Sequence, residues 1–288
     1  VSIIIPCKNE GSNVKMTVDS MFAAQNVRDV ENIVVDDQSQ DDCCRFLQTE
    51  PGYSGVRYLT TTGLGAARAR NYGAAAAQGE YLVFCDAHIT VPEGWLEKLL
   101  GTFSDPSVAA VAPAIGSLAN PKAVGYGQTW NERLETIWLP APPLQQSTRV
   151  PLLPGGCLAV RRQPFFKVGG FDRGFITWGY EDVELSLKLW LFGYELYVNP
   201  GVKILHLFRK KHPYQVTFDH VNYNLLRMAY SHFNDKRINK VISLLKEHTR
   251  AEKILQRVLK RDVLKQRQAN VSKRQRGDDW FMAEFKIP

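Results

Sequence analysis

At 288 residues and 32.6 kDa the chain is long enough to bury a large core, which excludes a peptide-scale or metal-stapled fold. With 44% hydrophobic and 23% charged residues it is too apolar to be disordered, and the first apolar run stops at Lys8, Asn9 and Glu10, so neither a membrane span nor a signal peptide is expected. The net charge of +7 sits in the tail: from Asp235 onward there are 15 Lys and Arg against 7 Asp and Glu, with 21 against 22 before it. A basic tail suits an acidic partner such as nucleic acid or an anionic membrane surface, or simply a solvated helix face.

In chain order, apolar runs at Ser2 to Pro6, Asn32 to Asp36, Val56 to Leu59, Tyr81 to Cys85 and Val108 to Val111 predict strands, with helical stretches such as Ala66 to Ala77 between them. Strands alternating with helices imply right-handed βαβ crossovers and an α/β fold built on a mostly parallel, Rossmann-like sheet flanked by helices. Residues 114 to 153 have no clean period and read as an insertion or substrate loop. A strand at Gly156 to Arg161, a short helix from Gln163 to Val168, a helix at Glu181 to Phe192 and two short strands at Glu195 to Val198 and Lys203 to Leu207 follow. After His212 and Pro213 the chain turns helical, with an apolar stripe of Val241, Leu244, Leu245, Ile254, Leu255, Val258 and Leu259 that is expected to dock on the rest of the protein. The expected division is a catalytic domain over residues 1–215, itself halved at residue 113, and a basic helical extension over 216–288.

Parallel sheets hold ligands at the carboxyl ends of their strands. The polar clusters Lys8 to Asn13, Asp36 to Asp42 and Asp86 to His88 each follow a predicted strand and so converge on one edge. Asp86 and His88, two apart at a strand end, would point the same way and suit a divalent cation, with His206 as a third ligand. Glu181 and Asp182 open a helix behind Trp178, Gly179 and Tyr180, and an indole beside a carboxylate pair suits a sugar as well as a helix cap. The five cysteines include no Cys-x-x-Cys pair, while Cys43 and Cys44 are adjacent and Cys7 and Cys85 lie in apolar runs. Reduced thiols and a cytoplasmic location are expected, with no zinc site.

Taken together, VVDDQS at 34–39, the DAH triplet at 86–88, GGFDRGFITWGYEDVELSLKLW at 169–190 and HLFRKKHPY at 206–214 resemble nucleotide-sugar glycosyltransferases of the GT-A fold. Within them the likeness is to the polypeptide N-acetylgalactosaminyltransferases and bacterial family-2 enzymes, over residues 1 to about 215. The resemblance implies that Pro6, Glu10 and Asp37 lie against uridine, that Arg68 lies near the nucleotide, and that Ala87 lets the ribose approach. It implies Mn²⁺ (or Mg²⁺) held by Asp86, His88 and His206, with Gly155 and Gly156 beside the donor sugar. Trp178 and Glu181 match the family's W-G-G-E segment, Asp182 follows as a candidate catalytic base, and Arg209, His212 and Tyr214 match a mobile loop over the diphosphate. Asp at the last position is typical of inverting enzymes, whereas HLFRKKHPY resembles the retaining branch, so both stereochemical courses stay open. The activity implied is metal-dependent transfer from a UDP-sugar to a peptide, glycan or small-molecule acceptor, without a stable nucleic-acid partner. The outer face of the basic helices is left for a homodimer or a peripheral lipid contact. The alternatives are a nucleotide-sugar or RNA-binding module without turnover, and a nucleotidyltransferase.

Overall fold

The computed structural model describes residues 1–24, 29–246 and 249–288. Strands β1 (Ser2–Cys7), β2 (Glu31–Asp36), β3 (Val56–Thr60) and β4 (Tyr81–Cys85) are separated by helix α1 (Asn13–Ala23), the single turn α2 (Phe46–Thr49) and helix α3 (Ala66–Ala76). The two-residue β5 (Ile89–Thr90) and helix α4 (Trp95–Leu100) lead into the long β6 (Val108–Ser117), then the short strands β7 (Val124–Gly125), β8 (Gln128–Trp130), β9 (Thr136–Trp138) and β10 (Thr148–Arg149). Strand β11 (Cys157–Arg161), helices α5 (Arg162–Lys167) and α6 (Glu181–Leu191), and strand β12 (Glu195–His206) complete the sheet. Among the described residues five helices follow: α7 (Phe218–His232), α8 (Asp235–Leu245), α9 (Ala251–Leu259), α10 (Val263–Lys273) and α11 (Asp278–Glu284).

The main path of the sheet runs β10-β12-β6-β11-β4-β1-β2-β3. The half of the sheet through β4, β1, β2 and β3 is parallel as expected. The sheet as a whole is mixed, because β11 runs antiparallel to both of its neighbours, β4 and β6. Side-chain alternation buries both faces. Ile4, Ile33, Val35, Leu82 and Phe84 meet α3 and α6 on one face, and Ile3, Ile5, Val34, Val83 and Cys85 meet α1 and α4 on the other. Helix α3 has little apolar surface and reaches the sheet through small residues. A Cβ on Gly73 would sit 2.5 Å from Ile4 Cγ2, so only glycine allows this approach.

Three expectations change. The two short strands near the end of the sheet are one strand, β12, continued past a bulge between Asn199 and Lys203. Strand β6 runs on to Ser117, into the segment read as irregular, and β8 and β9 form a hairpin beyond it. The apolar stripe docks, but incompletely. Val241, Leu245, Ile254 and Val258 are buried in the core shared with α6 and α7, while Leu259 remains exposed. Burial is worth roughly 1.5 to 3 kcal/mol per such side chain, which ties the C-terminal helices to the sheet-bearing part of the chain. Several of the tail's cations also turn inward. Arg267 donates to the carbonyls of Tyr230 and Phe233, Arg274 to that of His232, and Arg237 pairs with Asp278 and Asp279. Part of the positive charge is therefore structural, capping the C-terminus of α7. Among the described residues no helix is long and apolar enough to cross a membrane.

Candidate active site

The carboxyl ends of β1, β2 and β4 lie side by side in parallel, so the loops after them share one edge. Residues 86–88 do not continue β4. They form a turn into β5, so the alternation argument for Asp86 and His88 does not apply. Another device brings the three candidate ligands together. β5 pairs antiparallel with the end of β12, Ile89 opposite His206, and the Leu207 amide donates to the His88 carbonyl over 3.0 Å. His206 Nε2 then lies 3.2 Å from Asp86 Oδ2 and His88 Nε2 3.9 Å from the same oxygen.

The donor set fits a divalent cation. Asp86, His88 and His206 each offer one ligand atom, all within 4.8 Å of one another. Asp86 Oδ1 is taken by Arg70 Nη2 at 2.7 Å, leaving Oδ2 toward the histidines. Burial opposes ionisation of Asp86, but His206, Arg70 and His88 outweigh it and hold its carboxyl well below the usual range. Glu10 Oε2 lies 3.2 Å from His88 Nδ1, and burial of Glu10 is likewise outweighed by His88 and Arg209, which keep it ionised. An ionised carboxylate at Nδ1 fixes the proton there and frees Nε2 as a ligand, the usual support behind a metal-bound imidazole.

Two contiguous cavities meet at this cluster. The first, about 640 Å³, is walled by Pro6, Glu10, Asp37, Arg68, Ala87 and His88 on the sheet side and by Arg209, His212 and Tyr214 on the other. The second, about 470 Å³, is lined by Gly155, Gly156, Glu181 and Asp182, with Trp138 and Thr136 of β9 opposite. Arg70, Asp86, Trp178, His206 and Phe208 border both. The residues to which the family resemblance gave a site role thus all lie on one of the two walls or in the cluster between them.

Their individual contacts refine the expected roles. Asp37 accepts hydrogen bonds from the Leu64 and Gly65 amides and the Thr61 hydroxyl, so its carboxylate fixes the loop that enters α3. Glu10 faces His88 and also bonds Arg209, tying the 206–214 segment to the loop after β1. Trp178 and His212 both line the first cavity and pack with ring centroids 4.4 Å apart. The paired glycines have a steric reason: a Cβ on Gly155 would meet Asp182 Oδ2 at 2.9 Å, and one on Gly156 would meet His206 Cδ2 at 3.0 Å. Asp182 accepts from the Gly155 and Val183 amides, and burial raises its pKa. Burial likewise pushes the Glu181 carboxyl up to about 7, against the opposing pull of Arg70 at 3.1 Å.

Arg70 is the residue that sequence reasoning passed over. In AARARNYG the outer cation Arg68 was singled out, yet Arg68 is exposed and donates to the Leu64 carbonyl, while the buried Arg70 joins Asp86 to Glu181. No local signal marked it, because an alanine precedes each arginine; only the packed helix shows Ala67, Arg70 and Ala74 on the buried face of α3. The aromatic pair Trp138 and Phe208, 6.1 Å apart above the second cavity, was also missed, because β9 lies in the aperiodic segment.

The sequence model of glycosyl transferase family 2 matches residues 2–169, and that described as the N-terminal domain of galactosyltransferase matches residues 141–213. The chain is 34% identical over 181 residues to "Probable N-acetylgalactosaminyltransferase 8" of Caenorhabditis elegans, covering 57% of this chain and 43% of that protein. It is 31% identical over 258 residues to polypeptide N-acetylgalactosaminyltransferase 11 of Xenopus tropicalis, covering 80% of this chain and 42% of that one. The chain thus spans less than half the length of these curated relatives. Its fold is shared with GalNAc-T7, solved with UDP, GalNAc and Mn²⁺, at a TM-score of 0.74 and 22% identity over 99% of this chain and 56% of that one. The match over most of the sheet shows that the chain belongs to glycosyl transferase family 2, on the GT-A fold that its motifs led one to expect.

Proposed function

We propose that the protein is a metal-dependent glycosyltransferase that moves an N-acetylhexosamine or hexose from its UDP-sugar to a hydroxyl or thiol of a peptide, glycan or small-molecule acceptor. The observation that carries this reading is the meeting of two cavities at the Asp86, His88 and His206 cluster. One cavity has the size and the cationic rim for a nucleoside diphosphate, and the other has carboxylates and aromatic rings for a sugar and its acceptor. Asp86, His88 and His206 would hold Mn²⁺, which when bound supplies positive charge to the departing diphosphate. Arg209 and His212 stand on the same wall as further donors, Arg70 keeps Asp86 ionised and oriented, and Glu181 and Asp182 line the sugar side.

Five free cysteines support the expectation of a reducing, cytoplasmic setting. The exposed Lys236, Lys253, Lys260 and Lys265 support a contact of the C-terminal helices with an acidic acceptor, anionic lipid or a second copy of the chain. The test of the activity is a UDP-release screen across UDP-sugars, with Mn²⁺ and after chelation, followed by mass spectrometry of the modified acceptor. Metal-dependent release with one UDP-sugar is expected. Release that is unchanged by chelation, or none with any UDP-sugar and any acceptor pool, would sink the reading. Asp182→Asn separates the stereochemical courses: a base in an inverting reaction costs on the order of a hundredfold or more in turnover, while in a retaining one the leaving phosphate takes the proton.

A further inference from the structure

The loops after β1 and β2 bring together three sulfurs that the proposed reaction does not use. Cys7 ends β1, while Cys43 and Cys44 precede the turn α2. All three are free and less than a tenth exposed. Cys7 Sγ lies 3.2 Å from Cys44 Sγ, Cys43 Sγ lies 3.8 Å from Cys44 Sγ, and the three sulfurs fall within 4.8 Å of one another. Three thiolates about 2.3 Å from a common ion stand roughly 3.8 to 4.0 Å apart, so each separation between these sulfurs need change by no more than about 1 Å to reach that arrangement. The absence of a Cys-x-x-Cys pair had argued against such a site. Here the third sulfur comes from a different strand, which no local spacing reveals.

The surroundings suit thiolate chemistry. Cys43 Sγ lies 3.4 Å from the Ser39 hydroxyl. Each thiol that takes up a soft cation gives its proton to solvent, and the three buried sulfurs already stand together without a disulfide between them. The donor set is all sulfur, which selects thiophilic d¹⁰ cations over Mn²⁺ or Mg²⁺.

We propose that Cys7, Cys43 and Cys44 form a three-sulfur site for a thiophilic d¹⁰ cation, Zn²⁺ or Cu(I), separate from the oxygen and nitrogen ligands of Asp86, His88 and His206. The site fastens the loop after β1 to the loop after β2. Pro6, Lys8 and Glu10 on one side and Asp37 on the other wall the first cavity, so the cation would brace the nucleotide pocket from beneath.

The test titrates the reduced, chelator-treated protein with Cd²⁺ alone, then displaces it with Zn²⁺ or with Cu(I) to tell the two apart. One equivalent of Cd²⁺ is expected to give a thiolate-to-metal charge-transfer band that persists in His206→Ala and is lost in Cys43→Ser. No band at stoichiometric Cd²⁺, or a band kept in Cys43→Ser, would overturn the site. Should Cys43→Ser fail to fold, alkylation footprinting of the unaltered protein below its unfolding transition decides the matter. Protection of Cys7, Cys43 and Cys44 by the cation, with Cys85 and Cys157 unchanged, supports the site. Equal labelling of all five with and without cation overturns it.

Discussion

Glu181 sits at the centre of a contest between burial, which disfavours its charge, and Arg70, which favours it. Burial wins, and the carboxyl titrates near 7 rather than at its ordinary 4.5. Between those two values the folded chain binds more protons at this group than the unfolded one, so stability falls as pH rises through the window and is flat above it. At roughly 1.4 kcal/mol per pH unit, the loss amounts to about 3 kcal/mol. Glu181→Gln removes the titration while keeping the shape and an acceptor for the Gly179 amide, which now donates to Oε2 at 2.8 Å. Its new amide group faces Arg70, which adds an offset that does not depend on pH. The readout is therefore the slope: urea unfolding of wild type and Glu181→Gln at several pH values between 4.5 and 8. The stability of wild type relative to the variant is expected to drop by about 3 kcal/mol from the low to the high end. A difference that is flat, or that rises with pH, would mean that the Arg70 pair dominates and that the burial argument is wrong.

Glu10→Gln removes the charge that orients His88, and should weaken Mn²⁺ binding by about 10- to 100-fold in calorimetric titration; unchanged affinity would detach Glu10 from the metal cluster. Gly156→Ala places a methyl 3.0 Å from His206 Cδ2, and is expected to lower metal-dependent turnover on the order of tenfold with little change in thermal midpoint. Phe281, fully buried between Trp130 and Phe285, anchors the last helix, so Phe281→Ala should destabilise the whole protein by about 3 to 5 kcal/mol in urea. A variant that melts as wild type would show that the C-terminal helices are a passive extension. The 206–214 segment should gain protection from proteolysis when UDP and Mn²⁺ are added, because Arg209 and His212 face the cavity those ligands would fill.

Local pattern was enough for the strands, because short apolar runs such as Ser2 to Pro6 and Tyr81 to Cys85 are buried on both faces of a sheet. It was enough also for the convergence of loops, since parallel strands joined by crossovers must end on one edge. Motif order then named the family and most of the wall residues. What pattern could not supply was anything set by pairing between distant segments. The closure of the Asp86, His88 and His206 cluster depends on Ile89 lying opposite His206, a two-residue strand too short to carry a period. The choice of Arg70 over Arg68 depends on which face of an alanine-rich helix meets the sheet, and alanines on all sides leave hydropathy no stripe to read. The three sulfurs of Cys7, Cys43 and Cys44 meet only because β1 and β2 are neighbours in register, Cys7 opposite Asp36. Burial, and with it the raised pKa of Glu181, likewise exists only once α6 is enclosed, for a carboxylate at a helix start is an ordinary cap until the fold removes its water.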